Sequence, residues 1–172
     1  PWLAEGILEI LGCNSDRAAV AAALGAWDTA AFEAAVAERN LCAFMVRGKD
    51  EWAAHPQGKA VAGLPLISIE KIGDAPVEPL PAGARPLSGI RALELVRVIA
   101  GPVCGRTLAE HGAQVMRIGR ADRPDDDNLL RDTGHGKLAA NLDLRDPGAA
   151  ETLDTLIKQA DVVTQGHRPG TL

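Results

Sequence analysis

Cysteine is scarce in this chain of 172 residues, with only Cys13, Cys42 and Cys104 present. Their number is odd, no pair has CxxC spacing and no signal-like stretch precedes them. A disulfide framework is therefore excluded, and a reducing, cytoplasmic setting is the expectation. Long apolar runs are lacking too: the longest, Ala18 to Trp27, is mostly alanine and falls well short of the roughly 20 residues that cross a bilayer. No membrane is expected among the partners. Lysine is sparse, no long basic block occurs, and 18 Lys plus Arg stand against 23 Asp plus Glu, for a formal charge of -5. That balance argues against a nucleic-acid groove and favours small molecules or other proteins as partners. His55, His111, His135 and His167 have no ligand spacing with one another or with cysteine, so no metal site is expected.

What is present describes a globular chain. Apolar residues make up 47% of it, and its length allows one domain, or a small domain with part of another, around a real core. The chain closes at Gly170-Thr171-Leu172 directly after what reads as a buried parallel strand, which needs a layer on each face. The expectation is a piece of a longer protein.

Residues 1–62 hold 17 of the 30 alanines and read as helices. Leu3, Ile7, Leu8 and Leu11 form one apolar face, closed by Gly12. Asn14, Ser15 and Asp16 offer N-cap chemistry to a second helix carrying Val20, Leu24 and Trp27. Phe32, Ala35, Val36 and Arg39 suggest a third. Leu41 to Val46 has β character, Asp50 can cap a helix through Ala54, and Leu64 to Ile69 looks extended. Four prolines within Asp74–Leu87 then fix φ and remove donors, which marks a stiff linker over 74–87 between a helical segment, 1–73, and a second part, 88–172.

After the prolines the period changes. Ile90 to Val96 alternates as a strand, and Gly101-Pro102 opens a helix that runs through His111 and stops at Gly112. Gln114 to Ile118 is a second strand, Arg120 to Asp132 a charged loop, and Ala140 to Leu144 a third strand. Asp146-Pro147 reads as N-cap and N1 of a helix with Ala149, Leu153, Leu156, Ile157 and Ala160 on its apolar face, and Asp161 to Thr164 is the fourth strand. This alternation implies an α/β fold with a parallel, doubly wound sheet, preceded by a mostly helical segment.

In such a sheet, ligands bind beyond the carboxyl ends of the strands. The candidate loops there carry Arg97 with Val98 to Pro102, Gly119-Arg120, Arg145, and Gln165 to Gly170. Arginines at that rim suit a phosphate-bearing ligand, since guanidinium makes forked, charged hydrogen bonds to phosphate. Ala100 to Gly105 departs from GxGxxG, with Pro102 and Val103 where a dinucleotide loop needs close backbone approach, so a nicotinamide enzyme is disfavoured. Cys104 reads as a small core residue more than a nucleophile, and Asp125-Asp126-Asp127 as a solvated loop more than an ion site. Gly134 to Lys137 is a tight cationic turn, open to a phosphate or plain.

Five motifs, in order and at matching spacing across Pro86–Leu172, closely resemble the opening of class III CoA-transferases, the CaiB/BaiF family. They are Pro86-Leu87-Ser88-Gly89-Ile90-Arg91, Val98-Ile99-Ala100-Gly101-Pro102, Gly112-Ala113-Gln114-Val115, Gly136-Lys137 before Leu142-Asp143-Leu144-Arg145, and Ala160-Asp161-Val162-Val163 with Arg168-Pro169-Gly170. Residues 1–73, with Trp52 and His55-Pro56-Gln57-Gly58, more loosely resemble the closing segment of a family unit, which implies a fused or tandem parent.

The resemblance implies a Rossmann-like sheet, the N-terminal part of the family's large domain. It implies transfer of CoA from an acyl-CoA to a carboxylic acid through an aspartyl intermediate, in a homodimeric parent, with coenzyme A as substrate and no metal. The family's nucleophilic aspartate lies past Arg-Pro-Gly, hence beyond Leu172, so no catalytic residue is expected in this chain and the chain alone is expected to be inactive. CoA contacts carry over to Val98, Ile99, Ala100, Arg120, Leu142, Arg145, Gly166, His167 and Arg168. Gly166-His167 replaces the usual Asn-Phe, Leu138-Ala139 replaces Arg-Ser, and Ile99 stands where some members have Gln; these departures bear on acyl specificity. The alternatives are a non-catalytic CoA-binding or assembly module and an NADP-binding Rossmann enzyme using Arg120 for the ribose phosphate.

Overall fold

The computed structural model describes residues 2–123, 125–168 and 170. Pro169 of the Arg168-Pro169-Gly170 motif, and the closing Thr171 and Leu172, lie outside the described residues. Two compact units follow one another along the chain, Pro1–Ile72 and Gly73–Leu172.

The first unit is helical: α1 (Trp2–Leu11), α2 (Arg17–Gly25), α3 (Thr29–Glu38), α4 (Lys49–Ala54) and α5 (Pro56–Ala62). Asp16 caps α2 by accepting from the N–H groups of Ala18 and Ala19, and Asp28 caps α3 by accepting from Ala31, each meeting a donor the helix start leaves unpaired. Phe32, Val36 and Leu41 make a small core with Leu3, Ile7 and Ile10 against it. No single helix among the described residues is long and apolar enough to cross a membrane.

Three expectations for this unit are corrected. Leu41 to Val46 forms no strand, because Leu41 turns into the helical core while Phe44 and Val46 face solvent with no neighbouring strand to pair with. Leu64 to Ile69 is not extended throughout: the Leu64 N–H donates back to Val61 O at 3.0 Å, the chain bends at Leu64, Leu66 and Ile67, and Leu66 is fully exposed. Asp50 sits in the first turn of α4, whose N-cap is Gly48; the Glu51 carboxylate accepts from the Gly48 N–H at 2.6 Å.

The second unit is α/β: β1 (Arg91–Leu95), α6 (Ala100–Glu110), β2 (Gln114–Gly119), α7 (Asp127–Thr133), β3 (Lys137–Asn141), α8 (Ala149–Lys158) and β4 (Val162–Gln165). The prolines of 74–86 are exposed and unpaired in any ladder, and the segment then docks on the end of α6, where the Leu87 N–H donates to His111 O at 2.9 Å. All four strands are parallel, in the order β3-β2-β1-β4. β1 is buried along almost its whole length, as a central parallel strand covered on both faces must be. α6 lies on one face, where Ala109 and Ala113 pack on Ala92 and Val115. Leu156 of α8 and Ala160, two residues past its end, share a small cleft with Leu93, Met116 and Leu138. The chain moves outward from β1 to β3 and then returns past its start to β4, so the crossovers change direction between β1 and β4.

Three boundaries differ from the sequence reading. The charged stretch Arg120–Asp132 contains α7, started by Asp126, whose carboxylate accepts from the N–H groups of Asn128 and Leu129; a single short apolar pair, Leu129-Leu130, was too little period to see among charges. β3 begins at Lys137, three residues before Ala140, because its ladder with β2 runs from Val115 opposite Lys137 to Gly119 opposite Asn141. Leu142 to Leu144 therefore falls past the sheet. α8 starts at Ala149 with Gly148 as N-cap; φ of 81° at Gly148 turns the chain after Asp146-Pro147, a conformation glycine adopts without steric cost.

Candidate functional site

The carboxyl ends of the strands surround a cleft of about 640 Å³. It lies where the crossovers reverse, the position at which open parallel sheets bind ligands. Each strand contributes. Leu95 and Arg97 come from β1 and its loop, Ile118 to Arg120 from β2, Leu142 to Arg145 from the loop after β3, and His167 and Arg168 from the loop after β4. Six arginines line it (Arg97, Arg117, Arg120, Arg123, Arg145, Arg168) against two aspartates, Asp125 and Asp143, in a chain whose formal charge is -5. Positive charge is thus concentrated at one place on an acidic molecule, which raises the local concentration of anions there.

Two layers of ion pairs organise these arginines. At the outer rim Arg120 grips Asp122 with two bonds, Nε to Oδ1 at 2.6 Å and Nη2 to Oδ2 at 2.8 Å. Arg145 reaches the same Asp122 at 3.1 Å and also pairs with Asp143. The Arg120 bond, helped by both positive charges, holds the Asp122 carboxyl at about 2. Arg145 likewise keeps Asp143 far below the usual carboxylate range, and Asp143 in turn pushes the Arg145 guanidinium up. These pairs are exposed, so their contribution to stability is small; what they do is hold two guanidinium groups side by side.

Deeper, the Asp125 side chain is nearly buried and accepts from Arg97 Nε at 2.7 Å and from Arg117 Nη2. Burial alone would raise its carboxyl, but the two arginines outweigh that and hold it below the ordinary aspartate value. Asp125 is therefore no solvated loop residue, as its acidic neighbours had suggested. It ties the loop before α7 to the ends of β1 and β2. Among the described residues no group of three or more His, Cys, Asp or Glu is arranged to hold a metal ion.

Between β1 and α6 the backbone is strained. Val98 has φ of 71°, a left-handed conformation that a β-branched residue adopts at a cost of order 1–3 kcal/mol. Ile99 follows as an N-cap with no side-chain bond, and the carbonyl of Ile99 accepts the first helical bond, from Val103 at 2.9 Å. Val98 and Ile99 are both exposed. Ordinary folding would bury such residues or leave a looser turn; here a fixed, uncharged backbone bend stands next to the cationic cleft.

Of the residues predicted from the sequence, Arg120, Leu142, Arg145, His167 and Arg168 line the cleft. Val98, Ile99, Ala100 and Gly166 are outside its lining; the first three form the strained β1–α6 turn, and Gly166 donates its N–H to Leu95 O at 3.3 Å. Arg117, Asp122, Asp125 and Asp143 went unrecognised as parts of the site. Only the three-dimensional pairing of charges reveals them, although the period of β2 placed Arg117 near its end. Cys104 is exposed on α6 and is not the core residue expected. Lys137 also departs from expectation, because its ammonium points into the protein and is nearly inaccessible.

Residues 87–172 match CoA-transferase family III. An acyl-CoA transferase of Gibberella moniliformis is 34% identical over 150 residues, which cover 81% of this chain and 26% of that protein. Formyl-CoA:oxalate CoA-transferase of Afipia carboxidovorans is 34% identical over 101 residues, 52% of this chain and 24% of that one. Human alpha-methylacyl-CoA racemase is 37% identical over 86 residues, 50% and 22% respectively. The chain thus spans about a quarter of the length of these curated relatives.

Proposed function

Since the chain belongs to CoA-transferase family III, we propose that its α/β unit holds the CoA part of an acyl-CoA thioester, within a longer protein that moves CoA to a carboxylic acid. The observation that carries this reading is the cationic cleft at the reversal point of the parallel sheet. CoA bears a pyrophosphate and a 3′-phosphate at one end and a long uncharged arm ending in sulfur. Arg168 joins Arg120 and Arg145 at the phosphates, the last two through N–H groups beyond those that bind Asp122 and Asp143, with Leu142 and His167 beside them. The turn Val98, Ile99 and Ala100, apolar and exposed, suits the uncharged arm, and Gly166 leaves backbone accessible next to it.

In the reaction the resemblance implies, an aspartate carboxylate attacks the thioester carbonyl, and the C–S bond breaks to release CoA thiolate and leave a mixed anhydride. The thiolate then attacks the aspartyl carbonyl to give an aspartyl-CoA thioester and free the first acid. The acceptor acid repeats the exchange in reverse order. Among the described residues, the cleft aspartates Asp125 and Asp143, and Asp122 at the rim, are each held by arginine. We assign the nucleophile to a part of the longer protein outside this chain, together with the acceptor-acid pocket and the dimer contact. The helical unit belongs to the same architecture, since the alignment with the Gibberella moniliformis protein covers 81% of this chain and so reaches well before residue 87.

The relatedness to a racemase favours a second reading, in which the same CoA grip serves proton transfer next to the thioester instead of acyl exchange. Both readings require CoA binding. Calorimetry of the 172-residue chain with CoA and with NADP tests that shared step. Saturable heat with CoA and a weaker response to NADP is expected; no CoA heat, or tighter binding of NADP, overturns the assignment.

A further inference from the structure

The side chain of Lys137, at the start of β3, is 2% exposed and that of Glu94, on β1, 1% exposed; Lys137 Nζ lies 2.7 Å from Glu94 Oε2 and 2.7 Å from the carbonyl oxygen of Pro102, in the first turn of α6. As a device for stability this is poor. Both ions are stripped of water, and a cation is placed near the positive end of a helix, where the peptide dipoles disfavour it. Well-packed apolar side chains would hold three elements together at least as well. What the pair supplies is position, because the ammonium fixes the height of the Pro102 carbonyl, and hence of the first turn of α6, over the sheet.

A second observation points the same way. Three buried side-chain atoms have no hydrogen-bond partner among the described residues: Glu94 Oε1, Arg117 Nε and Thr164 Oγ1. The parallel register sets Glu94 opposite Arg117 on one side and opposite Thr164 on the other, so all three belong to one row across the sheet. Arg117 continues from that row to Asp125 and so to Arg97 at the cleft. A polar row with spare capacity thus runs across the sheet, passes close under α6 at Gly105, and continues through Arg117 to the cleft lining.

We propose that Glu94 and Lys137 are positioning residues that pin the first turn of α6 and thereby hold Val98, Ile99 and Ala100 in the bend that receives the uncharged arm of CoA. The arginine rim takes the phosphates independently. The proposal rests on the CoA reading above.

The test uses calorimetry on the full chain with two probes, CoA and 3′-phospho-ADP, the CoA fragment that keeps the phosphates and lacks the arm. The double variant E94Q/K137M removes both charges at nearly constant shape and leaves no ion unpaired. Its CoA affinity is expected to fall at least tenfold, toward that of the fragment, while its affinity for the fragment stays within twofold of the parent. Equal loss for both probes would make the pair a general structural support, and no loss for either would make it irrelevant; each result overturns the proposal. If the double variant does not fold, Glu94→Asp keeps the charges but draws the ammonium away from Pro102. A severalfold loss for CoA alone is then expected, and unchanged CoA affinity overturns the idea. A parent chain that binds neither probe removes the CoA reading itself, whereas a parent that binds both equally removes only the role of the turn.

Discussion

The Glu94 carboxylate occupies the space where a β-carbon on Gly105 would stand: built on that glycine, the carbon would lie 1.7 Å from Glu94 Oε2 and 3.0 Å from Lys137 Nζ. Glycine in the middle of a helix ordinarily costs about 1 kcal/mol relative to alanine. At position 105 that cost is accepted because the carboxylate passes close under α6. Gly105→Ala should therefore destabilise the α/β unit by roughly 1–3 kcal/mol, the range for forced overpacking, despite the better helix propensity of alanine. Urea unfolding followed by far-UV circular dichroism checks this; a raised midpoint would mean that the carboxylate has room to move.

Removal of either rim arginine, as Arg120→Ala or Arg145→Ala, should weaken CoA binding. Each lost charged hydrogen bond is worth about 1.5–3 kcal/mol, so tenfold or more in affinity is at stake. Because the contact is to phosphate, 3′-phospho-ADP should lose affinity in parallel with CoA. Calorimetry on both variants decides, and unchanged affinity in the two would take these residues out of the site.

The Asp122 carboxyl, held by Arg120 and Arg145, should remain ionised down to a pH of about 2. Its folded value lies below the ordinary 3.8, so the unfolded chain binds the proton more readily. The stability it contributes is then fully present above pH 3.8 and is lost as pH falls through about 2. Carboxyl carbon NMR gives the midpoint directly. In Arg120→Ala the midpoint should climb toward the ordinary value, since the largest cause of the shift is the bond from Arg120; a midpoint that stays low would assign the effect to Arg145.

Val98 stores strain that glycine would release. With φ of 71° relaxed at no steric cost, Val98→Gly should stabilise the fold by about 1 kcal/mol. Val98→Ala keeps the β-carbon and should not. Comparison of the two urea midpoints separates backbone strain from loss of the side chain, and equal midpoints would show that the bend carries little strain.

Much of the fold was legible because local chemistry decides it. Asp16 caps α2 as its position before the apolar period implies, and that period locates β1, β2, β4 and α6 to within about two residues. The arginines at strand ends were also readable, since alternation of strand and helix fixes which loops share a rim. Where local chemistry is ambiguous, tertiary partners decide. Leu41 to Val46 has the composition of a strand, yet a strand exists only with a partner, and none is near. α7 is short and charged, so its period was too weak to stand out.

By itself, then, the sequence determined the helical and α/β halves, the family resemblance of residues 86–172 and the arginine-bearing loops. Only the tertiary structure decided what each charge does. Lys137 ends a tight turn that reads as open to a phosphate or plain, but its ammonium is drawn inward by Glu94, 43 residues earlier in the chain, and by the Pro102 carbonyl. Asp125 sits in an acidic run and reads as solvated, but Arg97 from the loop after β1 and Arg117 from β2 converge on it. The physical reason is the same in both cases: a charge is buried only where an opposite charge meets it, and the partner is supplied by strand register, a property no local window of sequence contains.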